Sequence, residues 1–439
     1  MKPARRPELG EALPAAAFAL TRALLAEADV EGLALYLVGG PVRDLLLGKR
    51  LRDVDLVAEA GAQVLRALAE KAVPQAHVVA HGRFGTLSLR ADGTIIDLTS
   101  ARRESYAHDG ALPSVSPGSL EDDLRRRDFS VNALALPLSA AARARHSGVL
   151  DPTGGVADLE RRSLRALHPR SFHDDPTRAL RAARLAPRLG FTLARPSRSA
   201  LHDALRDGAF ARVSGDRYRR ELAKLFEDAR LGLDPARALR WLDASHVLGA
   251  LEPGLHLAPA AAAPLRRLGR AIAEPPWSGP EWRPEGPGLA LWLAPLPAQL
   301  RGRVLRRLAI RGALAERVAG WPRLQGRTAR SLRRARGRGA IDRVLRGLEE
   351  DELVALYAGS DDAATRRRIA RFASEDRLRR LPIDGADVVG LGLRGPDVGR
   401  ALERVRVAFL DGRLRSREEA LVLAAECGRR GRREPRRAH

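Results

Sequence analysis

Two aspartates, Asp53 and Asp55, stand two residues apart in Arg52-Asp-Val-Asp-Leu56, in a stretch that reads as a strand. Side chains at i and i+2 of a strand share one face. Carboxylates held together there repel each other unless they share a cation. Oxygen ligands of this kind suit Mg²⁺, and phosphoryl transfer needs such a metal. Just upstream, Leu37-Val-Gly-Gly-Pro-Val-Arg43 puts Gly39 and Gly40 directly after a short apolar run. Glycines after a strand let a backbone turn come close to phosphates, with N–H groups able to point at them. Arg43 follows one helical turn on, within reach of the same anion. A lone Asp-x-Asp is most often a solvated surface turn; the nearby glycine turn and arginine reverse that reading. Asp97, in Thr94-Ile-Ile-Asp-Leu98, falls on a neighbouring strand. It could complete the metal site or accept the proton of an attacking hydroxyl.

These residues need a scaffold, and the flanking pattern supplies one. Residues 13–28 read as a helix, Ala34–Val38 as a strand, and Pro41–Leu47 as a helix opened by proline, a favoured first position. Val54–Val57 is the strand of the acids, followed by a helix over Ala62–Lys71 and a strand over Ala76–Ala80. Thr86–Leu89 and Thr94–Leu98 form a hairpin, with Asp92-Gly93 as its turn. A small mixed sheet with helices on it satisfies this order. Residues 101–120 are polar, with Gly110, Pro113, Pro117 and Gly118, and read as a mobile loop. Val131–Leu136 is a last strand. From Asp158 onward Leu, Ala and Arg recur at helical spacing. Breaks fall at Glu274–Gly288, which holds Trp277 and Trp282, and at Leu381–Gly399; Arg429–His439 is a basic tail.

Composition narrows the partners. In 439 residues, 77 basic against 54 acidic side chains give a formal charge of +23. Lysine occurs only at Lys2, Lys49, Lys71 and Lys224, so arginine carries the charge. Genomic base composition can explain arginine in place of lysine, but not the excess. A polyanionic partner is expected, because neutralising phosphates releases counterions. Cys427 is the only cysteine, which excludes an intrachain disulfide and a cysteine-rich metal site and fits a reducing cytosol. Ala12–Leu20 faintly resembles a signal peptide but runs on into Thr21, Arg22 and a helical pattern, so a cytoplasmic protein is expected. No run approaches the roughly 20 apolar residues of a membrane span.

With these motifs in place, the chain resembles the class II tRNA nucleotidyltransferase and bacterial poly(A) polymerase family, within the nucleotidyltransferase superfamily. The glycine turn with Asp53 and Asp55 resembles that family's metal and triphosphate motif. Arg126-Arg-Asp-Phe-Ser-Val-Asn-Ala133 is similar to its ribose- and phosphate-contacting motif, RRDFTINA, with Ser130 and Val131 as conservative departures. Asp151–Leu159 resembles the hinge between head and neck. Asp174-Asp-Pro-Thr-Arg178, continuing to Arg184, resembles the base-reading helix, with Asp174 where glutamate is usual. Asp216–Leu222 resembles the motif that supports that helix. The likeness in the C-terminal half is confined mainly to Gly385–Gly399 and Ser416–Ala420.

The resemblance implies an α+β protein. A catalytic head (1–150) would be followed by a helical neck (151–235), body (236–380) and tail (381–439). It implies Mg²⁺ on Asp53 and Asp55, with Asp97 assisting. Nucleotide contacts would come from Gly39, Gly40, Arg43, Arg127, Asp128, Asn132, Asp175, Arg178, Arg181 and Arg184. On one helix, Asp175 and Arg178 would be neighbours at i and i+3. A carboxylate there would accept from the exocyclic amine of cytosine or adenine and a guanidinium would donate to a ring acceptor, so that the pair replaces a template. ATP, CTP and an RNA 3′ end, with tRNA the expected substrate, are the implied partners. Full CCA addition, addition of A alone and poly(A) synthesis stay open, as does an RNA-binding protein with an inactive head. The loop Arg102-Arg-Glu-Ser-Tyr106 matches the family's switch between C and A, or else is a solvated loop. Paired His108-Asp109, His173-Asp174 and His202-Asp203 lack the spacing of a phosphohydrolase metal set. Gly392–Gly399 reads as an interhelical turn able to offer N–H groups to a phosphate.

Overall fold

The computed structural model describes residues 9–75, 77–81, 86–91, 94–279 and 282–431. The chain divides into two compact units, Met1–Ser214 and Gly215–His439.

The first part of the N-terminal unit carries, among the described residues, the strands β1 Tyr36–Val38, β2 Val54–Ala58, β3 His77–His81, β4 Thr86–Ala91, β5 Thr94–Ser100, β6 Arg102–Ser105, β7 Ser114–Pro117 and β8 Ala135–Pro137. Six of them form one sheet in the order β3-β4-β5-β2-β1-β8. Its centre is the parallel pair β2–β5, in which Asp55 lies opposite Asp97. Alternation puts Leu56, Ile96 and Leu98, all fully buried, on one face and Asp55, Val57 and Asp97 on the other. The helices Ala15–Val30 and Ala62–Ala72 pack on β5 and on each other. Tyr36, Val38, Val57, Ala135, Leu120 and Leu124 form a further core at the far end of the acidic face.

Three local expectations change. Residues 101–120 are not a plain loop: β6 and β7 pair as an antiparallel ribbon, with Glu104 opposite Val115. Alternating half-buried Arg102 and Glu104 give β6 one inward face that polarity alone concealed. Val131–Leu136 is not one strand, because a 3₁₀ turn at Ser130–Asn132 precedes β8. There the Asp128 carboxylate accepts from the Phe129 N–H and from Asn132 Nδ2, and these local bonds hold the backbone out of a ladder. Within the helical stretch, Ser163–Leu164 and Thr192–Leu193 form a short parallel pair. The turn at Asp92-Gly93 lies outside the described residues.

The C-terminal unit is helical from Gly215–Glu227 to Arg417–Gly431. The break at Leu381–Gly399 contains a short helix, Gly385–Gly390, opened by a capping box on Asp384 and Asp387. Trp277 is buried against Tyr357, while Trp282 lies beneath the Arg230 guanidinium. Residues 432–439 of the basic tail are outside the described residues. Among the described residues no helix is long and apolar enough to cross a membrane.

Candidate active site

Asp53 is exposed at the residue before β2, and Asp55 is the second residue of that strand. Parallel pairing with β5 sets Asp97 beside Asp55 on the same face. Ser88, cross-strand from Asp97 on β4, donates to its Oδ1 at 2.6 Å. Burial pushes the Asp55 carboxyl up to about 6; Arg127 opposes this, and Asp97 and Asp53 add to it. A carboxyl so placed is reluctant to ionise until a cation offsets its neighbours. Among the described residues no group of three or more His, Cys, Asp or Glu is placed to hold a metal ion. The donor set is still of the right kind for Mg²⁺, which keeps water and takes one or two carboxylates together with substrate phosphates.

The glycine turn sits beside these acids. Gly39 has φ 76° and precedes the helix Gly40–Leu46. A Cβ at Gly39 would lie 2.4 Å from Nη1 of Arg127, so the position needs glycine for its dihedral and for its clearance. Arg127 in turn donates to buried Asp123 at 2.8 Å. Asp123 also accepts from Arg126 at 2.6 Å, and Arg126 donates to Glu104 of the ribbon at 2.8 Å. The Tyr106 hydroxyl donates to the other oxygen of Glu104 at 3.1 Å. Burial, with Arg178 opposing and Glu104 and Asp175 adding, raises Tyr106 to about 12. The ribbon is therefore wired to the arginines of the second motif. Beyond it, Asp109 accepts from Arg212 at 3.1 Å and pairs with Arg170.

A second chain of bonds links the glycine turn to the helix Thr177–Leu189. Arg43 is buried; it donates to Asp44 at 2.8 Å and to Asn132 Oδ1 at 2.6 Å. Asn132 donates to Asp128 at 2.8 Å, and Arg181 donates to the other Asp128 oxygen at 2.7 Å. Arg188 closes the ring on Asp44 at 3.3 Å. Burial works against ionising Asp128, yet Arg181, Asn132 and Arg178 together bring its carboxyl down to about 2. Arg43 is thus spent on holding Asn132 and Asp44, with its guanidinium against Gly40, rather than extended into an open turn.

Asp175 and Arg178, expected to read the base, are placed differently from the i,i+3 helical pair the spacing suggests. Asp175 is not on the helix: it is extended (φ −138°, ψ 92°), and the helix starts at Thr177. Pro176 disfavours a helical conformation in the residue before it. Asp175 accepts from the Thr177 N–H at 3.0 Å and from its hydroxyl at 2.6 Å. Arg178 is buried, donating to Ser171 Oγ at 2.5 Å and to the Arg126 carbonyl at 3.1 Å. The i,i+3 neighbours on this helix are Arg178 and Arg181, and half-buried Arg184 follows. Asp174 faces His168 at 3.7 Å. Asp151 accepts from the N–H groups of Gly155 and Val156 at 2.7 and 2.9 Å, which fixes the turn expected to be a hinge. Asp216–Leu222 lies in the C-terminal unit on Gly215–Glu227, where Arg219 pairs with Glu285 at 2.7 Å.

Ser88, Asp44, Ser171 and Arg188 were not visible as site residues. Ser88 and Ser171 carry no signal without knowing which strands and helices meet. Asp123 did carry one, standing three and four residues before Arg126 and Arg127.

A glycine turn, a hydrogen-bonded arginine and carboxylate network and paired acids on neighbouring strands are thus brought together in the N-terminal unit. Residues 35–165 match the Poly A polymerase head domain. The chain is 36% identical to the CC-adding tRNA nucleotidyltransferase of Deinococcus radiodurans over 88% of this chain and 87% of that one. It is 31% identical to the A-adding tRNA nucleotidyltransferase of Geobacter sulfurreducens, over 96% of this chain but 49% of that one. This chain therefore spans about half the length of the Geobacter relative. A solved apo form of a CCA-adding enzyme superposes with a TM-score of 0.72 at 28% identity, over 95% of this chain and 97% of that one. The chain belongs to the tRNA nucleotidyltransferase and poly(A) polymerase family.

Proposed function

We propose that the chain is a template-independent nucleotidyltransferase acting on RNA 3′ ends, adding CCA or its terminal A to tRNA from CTP and ATP. The observation that carries this is the register of Asp55 with Asp97 beside the Gly39 turn and Arg127. Asp53 and Asp55 would hold Mg²⁺, which when bound neutralises phosphate charge and eases ionisation of the attacking hydroxyl. The RNA 3′ oxygen forms a bond to the α-phosphorus, the bond to the bridging oxygen breaks, and pyrophosphate leaves. Asp97, oriented by Ser88, takes the hydroxyl proton. Arg127, and Arg181 on Asp128, offer guanidinium groups for the triphosphate, with Asn132 for the ribose. Arg43 and Arg184 support that lattice, and Asp175 with Arg178 selects the base. We further place this activity in a head (1–150) and neck (151–235), with body and tail holding RNA, in the cytoplasm.

The names of the relatives favour tRNA. The match to the Poly A polymerase head domain favours the second reading, addition of A to RNA 3′ ends. Single-turnover transfer from labelled ATP or CTP to RNA, with and without chelator, tests both. Transfer that needs Mg²⁺ and vanishes in Asp53→Ala is expected; transfer indifferent to chelator and to Asp53→Ala would refute the site assignment.

A further inference from the structure

The helix Ser171–Asp174 is a single turn of four residues. A helix so short has no stability of its own and must be held from outside. Both base-selecting groups nevertheless hang from it. Ser171 accepts from Arg178 at 2.5 Å through its hydroxyl and at 3.4 Å through its carbonyl. The same carbonyl accepts from the Asp175 N–H at 3.2 Å. Where this turn sits therefore decides where Arg178 and Asp175 sit.

Two side chains anchor the turn. Phe172 is fully buried, but burial of an apolar ring is non-directional: it sets how deep the turn lies and not how it is rotated. Direction has to come from hydrogen bonds, and His173 supplies two. Its ring is 5% exposed, and Nε2 lies 3.1 Å from the Asp207 carboxylate. A carboxylate only accepts, so Nε2 carries the proton and donates it. The His173 carbonyl accepts from the Gly110 N–H at 2.9 Å. Asp207 closes the helix Arg195–Arg206, and Gly110 lies in the connection between β6 and β7. One residue thus ties the turn to a second helix and to the ribbon.

Packing alone does not account for this ring. Its Nδ1 is buried without a hydrogen-bond partner among the described residues, and a buried polar atom left unmade lowers stability. Leucine would fill the space without that cost. What histidine adds is the directed bond to Asp207.

We propose that His173 and Asp207 are positioning residues for nucleotide selection. Their bond fixes the rotation of the turn, and with it the edge that Arg178 and Asp175 present to the base. Both stand outside the motifs that carry the family likeness, and neither acts on the base directly. This positioning rests on the base-reading role proposed above.

The test uses the full-length protein and the variants His173→Leu, His173→Gln, Asp207→Ala and His173→Leu/Asp207→Ala, with Arg178→Ala as the control for base reading. Asp207→Ala alters a half-exposed side chain, and melting curves check that each variant is folded. Dissociation constants for ATP, CTP, UTP and GTP are measured without RNA, so the readout does not depend on transfer. In His173→Leu and in Asp207→Ala, the preference for ATP and CTP over UTP and GTP should fall by about tenfold, because a small displacement of a reading group is costly. The double variant should lose no more than either single one, since each removes the same bond. His173→Gln, whose amide can still donate to Asp207, should restore most of the preference. Unchanged ratios in folded His173→Leu and Asp207→Ala, while Arg178→Ala shifts them, would overturn the positioning role and leave base reading standing. Unchanged ratios in Arg178→Ala as well would remove base reading and the positioning role with it. Equal weakening of all four nucleotides beside a lowered melting point, or losses that add in the double variant, would show that the bond serves stability alone.

Discussion

Asp55 carries opposite demands for folding and for chemistry. Its carboxyl is raised to about 6 by burial and by Asp97 and Asp53, so its ionised form costs the fold stability unless a cation offsets it. A folded-state value above the unfolded one means that folding takes up a proton between about 4 and 6, and stability falls as pH rises through that window. Asp55→Asn should therefore melt higher than the parent chain above pH 6 without metal, by about 2–3 kcal/mol, and lose transfer entirely. A calorimetric scan beside a transfer assay checks this; an unchanged or lowered melting point would remove the electrostatic argument. Asp128 runs the other way. With its carboxyl brought down to about 2, its contribution is present above about pH 4 and lost as pH falls towards 2. Asp128→Ala leaves Arg181 and Asn132 without their acceptor and should destabilise by about 2–3 kcal/mol at neutral pH, readable in urea titration. Base choice also belongs to this scale. Arg178→Ala and Asp175→Ala should lose about 1–3 kcal/mol of discrimination, so UTP and GTP become better competitors. Competition among the four nucleotides, measured beside a melting curve, decides it. Unchanged nucleotide ratios with a lowered melting point would mean that Ser171, Thr177 and the Arg126 carbonyl are the true partners and the role is structural.

Elements, rather than residues, separate what was legible in the sequence from what was not. The glycine turn, the helix after it and the strand of Asp53 and Asp55 were readable because each is a short-range pattern: glycine before proline, then alternating acids. That Asp97 stands on a neighbouring strand was legible, but the parallel pairing of β2 with β5 and the register that sets Asp97 opposite Asp55 were not, since the two strands are separated by a helix and a hairpin. The extended backbone of Asp175 has a local cause: Pro176 stands at the N-cap of the helix, and the residue before a proline is held out of it, its carboxylate accepting from Thr177. The ribbon of β6 and β7 was hidden by its polar composition, although Arg102 and Glu104 alternate as a strand should. Gly39→Ala tests how tightly these elements meet. Its φ of 76° strains any side chain, and a Cβ 2.4 Å from Arg127 would force that guanidinium to move, so the variant should lose stability and displace Arg127 from its place beside Asp55. A fall in apparent nucleotide affinity of about tenfold is expected; an affinity equal to the parent chain's would show that the turn tolerates a side chain.

For the molecule as a whole, the charge of +23 is the dominant fact. Arginine-rich helices that meet RNA phosphates should give an affinity that falls steeply with salt. A tRNA affinity that stays flat across a salt titration would contradict the basic-surface argument. The central claim, transfer of nucleotides to an RNA 3′ end, is tested most directly in one reaction series. Purified protein is incubated with tRNA lacking one, two or three terminal nucleotides, supplied with one labelled NTP at a time. Mg²⁺-dependent extension is expected from ATP on the tRNA lacking one nucleotide, and from CTP on the shorter ends if the whole CCA is added. Release of pyrophosphate should match each addition, and Asp53→Ala should give none. No extension of any tRNA by any nucleotide, from a folded protein that still binds the RNA, would contradict it.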